Sequence, residues 1–221
     1  MCRIKCQAQT SARAPLSSTV RSLMRRLLIC LGMLSLACLA SPQDSAEEAA
    51  EAFWGWHALR QPSGALTADE LAEIRSLVTQ EFACLLELAG KYRLHFSNLY
   101  PDDKPPFEEG DFFTSSAYER PTKFEIESVQ VNSTTATAFT KFYAEGDASW
   151  VDRLQLRQEN GQWKVSDVDR GGPFEFGNSG SFVNQLYAVM SRDIPDASWN
   201  GDVARNCRER PNTSLERTRE R

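Results

Sequence analysis

Few residues in this chain have the chemistry of a reaction centre, and they are far apart. The two histidines, His57 and His95, lie thirty-eight positions from each other. His57 follows Phe53 by one helical turn on a segment whose apolar stripe faces a core. Its ring fits two roles: a pocket acid or base walled by Trp54 and Trp56, or a core-edge imidazole satisfied by its neighbours, which is the commoner state of such a ring. His95 stands beside the end of a long helical segment, where it can meet terminal carbonyls. Asp152, Asp167 and Asp169 lie on or beside a β-rich hairpin. Ideal alternation places Trp150, Asp152, Leu154 and Leu156 on one face, which buries Asp152 and raises its pKa toward that of a general base. Val151 on the other face leaves the inward direction open, and a slip of one residue exposes the carboxylate. Trp163, Val165 and Asp167 pose the same ambiguity. His57, Asp152 and Tyr118 are therefore the acid–base candidates, with no catalytic role assigned to any of them.

Other chemistries find no support in the spacing. Four of the six cysteines lie in the first forty residues; two distant histidines with Cys84 and Cys207 do not supply zinc ligands, and the acidic loop lacks the alternating ligands and glycine of a calcium loop, so no metal is expected. There is no Ser-His-Asp order, nucleophile elbow, phosphate-binding glycine loop or dinucleotide fingerprint; Gly171, Gly172, Gly177 and Gly180 are loop glycines, and no cofactor is expected.

The first forty residues carry six basic side chains and no acidic one. Met24-Arg25-Arg26, the apolar run Leu27 to Ala37 and Cys38-Leu39-Ala40 read as the charged region, apolar region and cleavage site of a signal peptide, with residues 1–23 a misassigned upstream extension if translation starts at Met24 rather than Met1. The apolar run is too short for a permanent membrane span, which takes about twenty residues. A lipoprotein anchored through Cys38 is disfavoured because Ser35 stands where a leucine belongs. Cleavage near Ala40 places the mature chain in the periplasm or outside the cell. It leaves 181 of the 221 residues, a normal size for one domain. Removing the leader's six basic residues from the chain's 25 leaves 19 against 30 acidic, a net charge of −11, which disfavours nucleic acid and anionic membrane as partners. Cys84 and Cys207 are the mature cysteines, and an even pair in an oxidising compartment predicts one disulfide.

Ser45-Ala46-Glu47-Glu48 is a capping-box pattern, and Ala46, Ala49, Ala50, Phe53, Trp56 and His57 recur at helical spacing, predicting a helix over 44–59. A second capping box at Thr67-Ala68-Asp69-Glu70 opens a stripe through Leu71, Ile74, Val78, Leu85, Leu88 and Tyr92, which predicts one long helix over 68–92. From Ser97 to Pro121 the chain mixes four prolines, six acids and five aromatics, a long irregular stretch of the kind that is functional or packed by its own side chains. The period then becomes two: Lys123 to Val131, Thr134 to Tyr143, Trp150 to Gln158 and Gln162 to Val168 predict an antiparallel meander, with Asn160-Gly161 as a tight turn. Phe182, Leu186, Tyr187 and Met190 mark a final helix. The expectation is an α+β domain over 41–200, its long helix packed on the concave face of a curved sheet, followed by an Arg-rich, mostly disordered tail over 201–221.

This order of elements resembles the nuclear transport factor 2-like superfamily. More narrowly, Glu109-Gly110-Asp111-Phe112-Phe113-Thr114-Ser115, the Glu-Asn-Gly-Gln-Trp163-Lys-Val165 hairpin and the Ala-Phe53-Trp54-Gly-Trp56 helix resemble exported bacterial proteins of the domain of unknown function 3828. The resemblance covers about residues 45 to 190 and implies a cone-like fold and an envelope location, not a reaction. Acids and aromatics together in the irregular stretch favour a non-enzymatic binding or interaction domain with Tyr100, Phe107, Asp111, Phe112 and Tyr118 as contact residues and a bias toward basic partners. The alternatives are a small-molecule hydratase, isomerase or hydrolase using the cone pocket, and an inhibitor or immunity-like protein.

Overall fold

A computed structural model describes residues 45–192 and 199–208. Helix α1, Ala46–Arg60, starts as its capping box dictates. Ser45 Oγ accepts from the Glu48 N–H at 3.1 Å, and the Glu48 carboxylate accepts from the Ser45 N–H at 3.1 Å. It ends at Gln61, whose left-handed backbone (φ 46°) lets its N–H reach His57 O.

The single helix expected over 68–92 is two helices, α2 (Ala68–Ile74) and α3 (Gln80–Leu99). Between them Val78 pairs with Val165 as a parallel bridge: Val165 N–H donates to Leu77 O at 2.9 Å and Thr79 N–H to Val165 O at 2.8 Å. Thr79 then caps α3 by accepting from the Phe82 N–H. Periodicity alone could not detect the break, because Ile74, Val78, Phe82 and Leu85 are all buried on both sides of it.

Strands β1 (Lys123–Asn132), β2 (Thr135–Tyr143), β3 (Ser149–Glu159), β4 (Gln162–Arg170) and the short β5 (Gly180–Ser181) form one antiparallel sheet in that order, and the sheet is open. The Asn160-Gly161 turn has φ of 55° and 77°, as a two-residue hairpin requires. Burial alternates through β2 and β3, with Ala136, Ala138, Thr140 and Phe142 inward beside Trp150, Asp152, Leu154 and Leu156. In β4 a bulge interrupts the pattern. Gln155 pairs with Asp167 and Leu156 with Val165, leaving Ser166 extra. Inward positions therefore pass from Trp163 and Val165 to Val168 and Arg170, which reverses the phase and buries an arginine.

Helix α1, and not the long helix, lies across the sheet and touches β1 to β4, while α3 packs against β4 and α4 (Phe182–Met190). Phe53 and Trp54 of α1 are fully buried, and Trp54 Nε1 donates to Thr140 Oγ1 on β2 at 2.9 Å, which ties this helix to the sheet. Packing continues past residue 200, where the tail was expected to start: α5 (Asp202–Arg205) and the turn after it bury Ala204 and Cys207, and Cys207 is bonded to Cys84 on α3. The leader, its cleavage site, Cys38 and residues 209–221 lie outside the described residues. Among the described residues no helix is long and apolar enough to cross a membrane.

Candidate cleft at the end of helix α1

The last turn of α1 and the loop after α3 approach each other, and their meeting point is a hydrogen bond between His57 Nε2 and Asp111 Oδ2 at 3.0 Å. His57 is 3% exposed, with its ring edge-on to Trp54 at 5.5 Å and to Phe113 at 5.9 Å. Asp111 is fixed from its own loop: Oδ1 accepts from the Phe113 N–H at 2.8 Å, and Oδ2 accepts from Thr114 Oγ1 at 2.9 Å. Burial opposes the charge on Asp111, but the charge and hydrogen bond of His57, with the Phe113 amide and Thr114 hydroxyl, outweigh it and hold the pKa below the ordinary aspartate value.

Above this pair is an open cleft of about 310 Å³. One wall is the end of α1 with His57, Ala58, Gln61, Pro62 and Ser63; the other is loop 109–121 with Glu109, Asp111, Ala117, Tyr118, Glu119 and Pro121. Arg120 crosses between them, donating from Nη1 to Gln61 Oε1 at 2.8 Å. A second, much smaller space of about 10 Å³ lies beneath Phe112, Phe113, Phe182 and Leu186, between α3, α4 and the loop, at the lower limit for one water.

Of the acid–base candidates, His57 and Tyr118 reach the cleft and Asp152 does not. Asp152 faces inward, fully buried, and its carboxylate accepts from Ser115 N–H (2.8 Å), Gly171 N–H (3.0 Å), Trp150 Nε1 (3.1 Å) and Ser115 Oγ. Burial pushes its pKa up, and the bonds from Ser115, Gly171 and Trp150 only partly oppose that. Its geometry is that of a tie between two loops. Gly172 N–H donates to Ser115 Oγ at 2.7 Å, and a side chain at Gly172 would bring its Cβ within 2.6 Å of the Ser115 Cβ, so the loop approach requires glycine there. Asp167 is likewise engaged, accepting from Val168 N–H, Val183 N–H and Ser181 Oγ at the start of α4; burial raises its pKa as well.

Among the expected contact residues, Phe107 is 6% exposed and packs edge-on to Phe112 at 5.5 Å. Phe112 is half-buried and nearly parallel to Phe182, Tyr100 lies against Phe96, and Asp111 is held by His57. Tyr118, at 73% exposure, is the one of the five whose ring faces solvent. The loop's aromatics turn inward because the sheet and α1 leave a core to be closed at that end.

Arg170 is not singled out by any motif or spacing in the chain. Buried at 2% exposure, it donates to Phe112 O, Gly180 O and Ser179 O and lies 5.1 Å from the Phe182 ring centre. Burial draws its pKa down to about 10, against the fields of Asp167, Asp152, Asp111 and Asp169. Only the β4 bulge, invisible to a strict period of two, could have placed it inside. Among the described residues no three His, Cys, Asp or Glu side chains gather as a metal site.

Fold and site define an α+β domain with helices packed on one antiparallel sheet and an open cleft at the end of α1. No family model matches the chain, and no curated protein matches it. A solved structure that matches in part is a SEC-C motif containing protein from Rhodopseudomonas palustris, 13% identical over 55% of this chain and 91% of that chain, with a TM-score of 0.20, too low to bear on fold or function.

Proposed function

We propose that this chain is an exported, non-enzymatic binding domain of nuclear transport factor 2-like type, akin to the domain of unknown function 3828 proteins, that holds its ligand or partner in the cleft at the end of α1. One observation carries this: the cleft at the end of α1 opens to solvent over about 310 Å³ and sets the exposed Tyr118 beside the apolar surfaces of Ala58, Pro62 and Pro121. A cone enzyme needs an enclosed, dry space around its acid–base groups, whereas an open cleft with an exposed aromatic rim suits recognition. The order of three helices followed by an antiparallel meander of four long strands, with the short β5, α4 and α5 after it, supports the superfamily assignment. The Cys84–Cys207 bond supports an oxidising compartment, hence export. An inhibitor or immunity-like protein is one form of the same proposal, in which the partner is a toxic or lytic protein.

The His57–Asp111 bond favours a second interpretation, since a carboxylate that orients an imidazole beside a cleft is the arrangement of a general base. Paired capture experiments from native periplasm separate the two. Wild-type and Tyr118→Ala baits are compared by mass spectrometry of retained proteins and small molecules. A species held by the wild type and lost with Tyr118→Ala supports binding at the cleft; retention indifferent to Tyr118 refutes it. A turnover that His57→Gln abolishes in a folded protein establishes the enzyme instead.

A further inference from the structure

Two of the charged side chains that line the cleft are paired, Asp111 with His57 and Glu109 with Lys104. Glu119 and Arg120 differ. Adjacent on the loop wall and both exposed, they are steadied by neutral groups, Glu119 Oε2 by Ser116 Oγ and Arg120 Nη1 by Gln61 Oε1 at 2.8 Å. Neither forms an ion pair among the described residues. A neutral partner fixes the position of a charge without cancelling it. Among the described residues, Glu119 Oε1 and the Nε–Nη2 edge of Arg120 have no partner, and that edge has the geometry of a carboxylate fork. Beside them stand the exposed Tyr118 ring and the apolar surfaces of Pro62, Pro121, Ala58 and Ala117. The cleft volume is at the lower end of small-ligand pockets, which run about 300–1,000 Å³.

Building on the proposal that the cleft is the binding site, we infer that its ligand is a small zwitterion, a free α-amino acid with an apolar or aromatic side chain. Its carboxylate lies on the Arg120 fork, its ammonium on Glu119, and its side chain against Tyr118 and the two prolines. A ligand with a single charge leaves one of the two protein charges unmatched and sets it against a like charge. A zwitterion matches both.

Three probes of nearly equal shape test this: phenylalanine, phenethylamine, which lacks the carboxylate, and 3-phenylpropionate, which lacks the ammonium. Each is titrated into the ¹⁵N-labelled mature chain, following the amides of residues 57–63 and 117–121. Phenylalanine should bind at least about tenfold more tightly than either analogue, the scale of one lost charge-assisted hydrogen bond. Arg120→Gln and Glu119→Gln should each weaken phenylalanine by about tenfold, and both positions are exposed, so the fold tolerates the changes. If phenethylamine binds as well as phenylalanine, or Arg120→Gln improves its binding, the site selects cations and the inference is overturned; equal binding of 3-phenylpropionate overturns it in favour of anions. In both cases the cleft remains a binding site. If no probe perturbs these amides the zwitterion is likewise overturned, and the Tyr118-dependent capture decides separately whether the cleft binds anything.

Discussion

Replacing Asp152 by alanine removes the acceptor shared by Ser115 N–H, Gly171 N–H and Trp150 Nε1, at 2.8, 3.0 and 3.1 Å, and by the Ser115 hydroxyl. The hydroxyl can turn its proton elsewhere while Oγ keeps the Gly172 N–H. The three N–H groups cannot turn. At about 1–3 kcal/mol for each buried donor left unpaired, the loss ranges from about 3 to 9 kcal/mol. Two effects reduce it: a water can enter a site vacated by a carboxylate, and the buried charge, itself unfavourable as the raised pKa shows, disappears. A net destabilisation of about 3 kcal/mol is expected for Asp152→Ala and about 2 kcal/mol for Asp152→Asn, which keeps one acceptor oxygen. Denaturant unfolding at pH 7 measures both through the midpoint at constant slope. The pH dependence has a definite sign. Because the folded pKa is raised, the carboxyl's titration-linked contribution to stability is fully present below the unfolded value, about 3.9, and is lost as pH rises through the folded pKa. The deficit of either variant should therefore widen as pH falls from 7 toward 4. A loss under about 1 kcal/mol for Asp152→Ala, or a deficit that narrows in acid, refutes the view of Asp152 as the tie between loops 111–116 and 171–172.

Phe107→Ala should cost about 3 kcal/mol, because its ring is core, whereas Tyr118→Ala should stay within about 0.5 kcal/mol; equal effects on thermal unfolding would show that the two rings have been misplaced. Replacing both Cys84 and Cys207 by serine opens a closure of 123 positions and should destabilise by about 4 to 5 kcal/mol on the chain-entropy model, measured against the oxidised wild type; a change within about 0.5 kcal/mol would show the bond unimportant. Asp111, with a depressed pKa, contributes stability that is present above the unfolded value and is lost as pH falls through the folded one. The gap between wild type and Asp111→Asn should accordingly be widest near neutrality and close in acid, opposite in sign to Asp152, and a gap that grows in acid would contradict the His57 pairing.

Local chemistry was legible without a fold. Capping boxes at Ser45 and Thr67, the Asn160-Gly161 turn, the period of two through β2 and β3 and the pairing of Cys84 with Cys207 are each set by neighbours in the chain or by elimination, and the structure has them where the residues say. Tertiary contacts decided the rest. Thr79 left the helix because Val165, far along the chain, offered backbone bonds to residues 77 and 79. Ser166 became a bulge because the register of β3 demanded it, and that one extra residue chose which side chains of β4 are buried, Arg170 among them. His57 and Asp111, fifty-four positions apart, became partners because α1 crosses the sheet and brings its last turn to the loop that closes the core. The same closure drew Phe107 and Phe112 inward and left Tyr118 outside. Composition records how many aromatics and acids a loop carries; which of them face water depends on the surface they fold against, and that surface is assembled from distant segments.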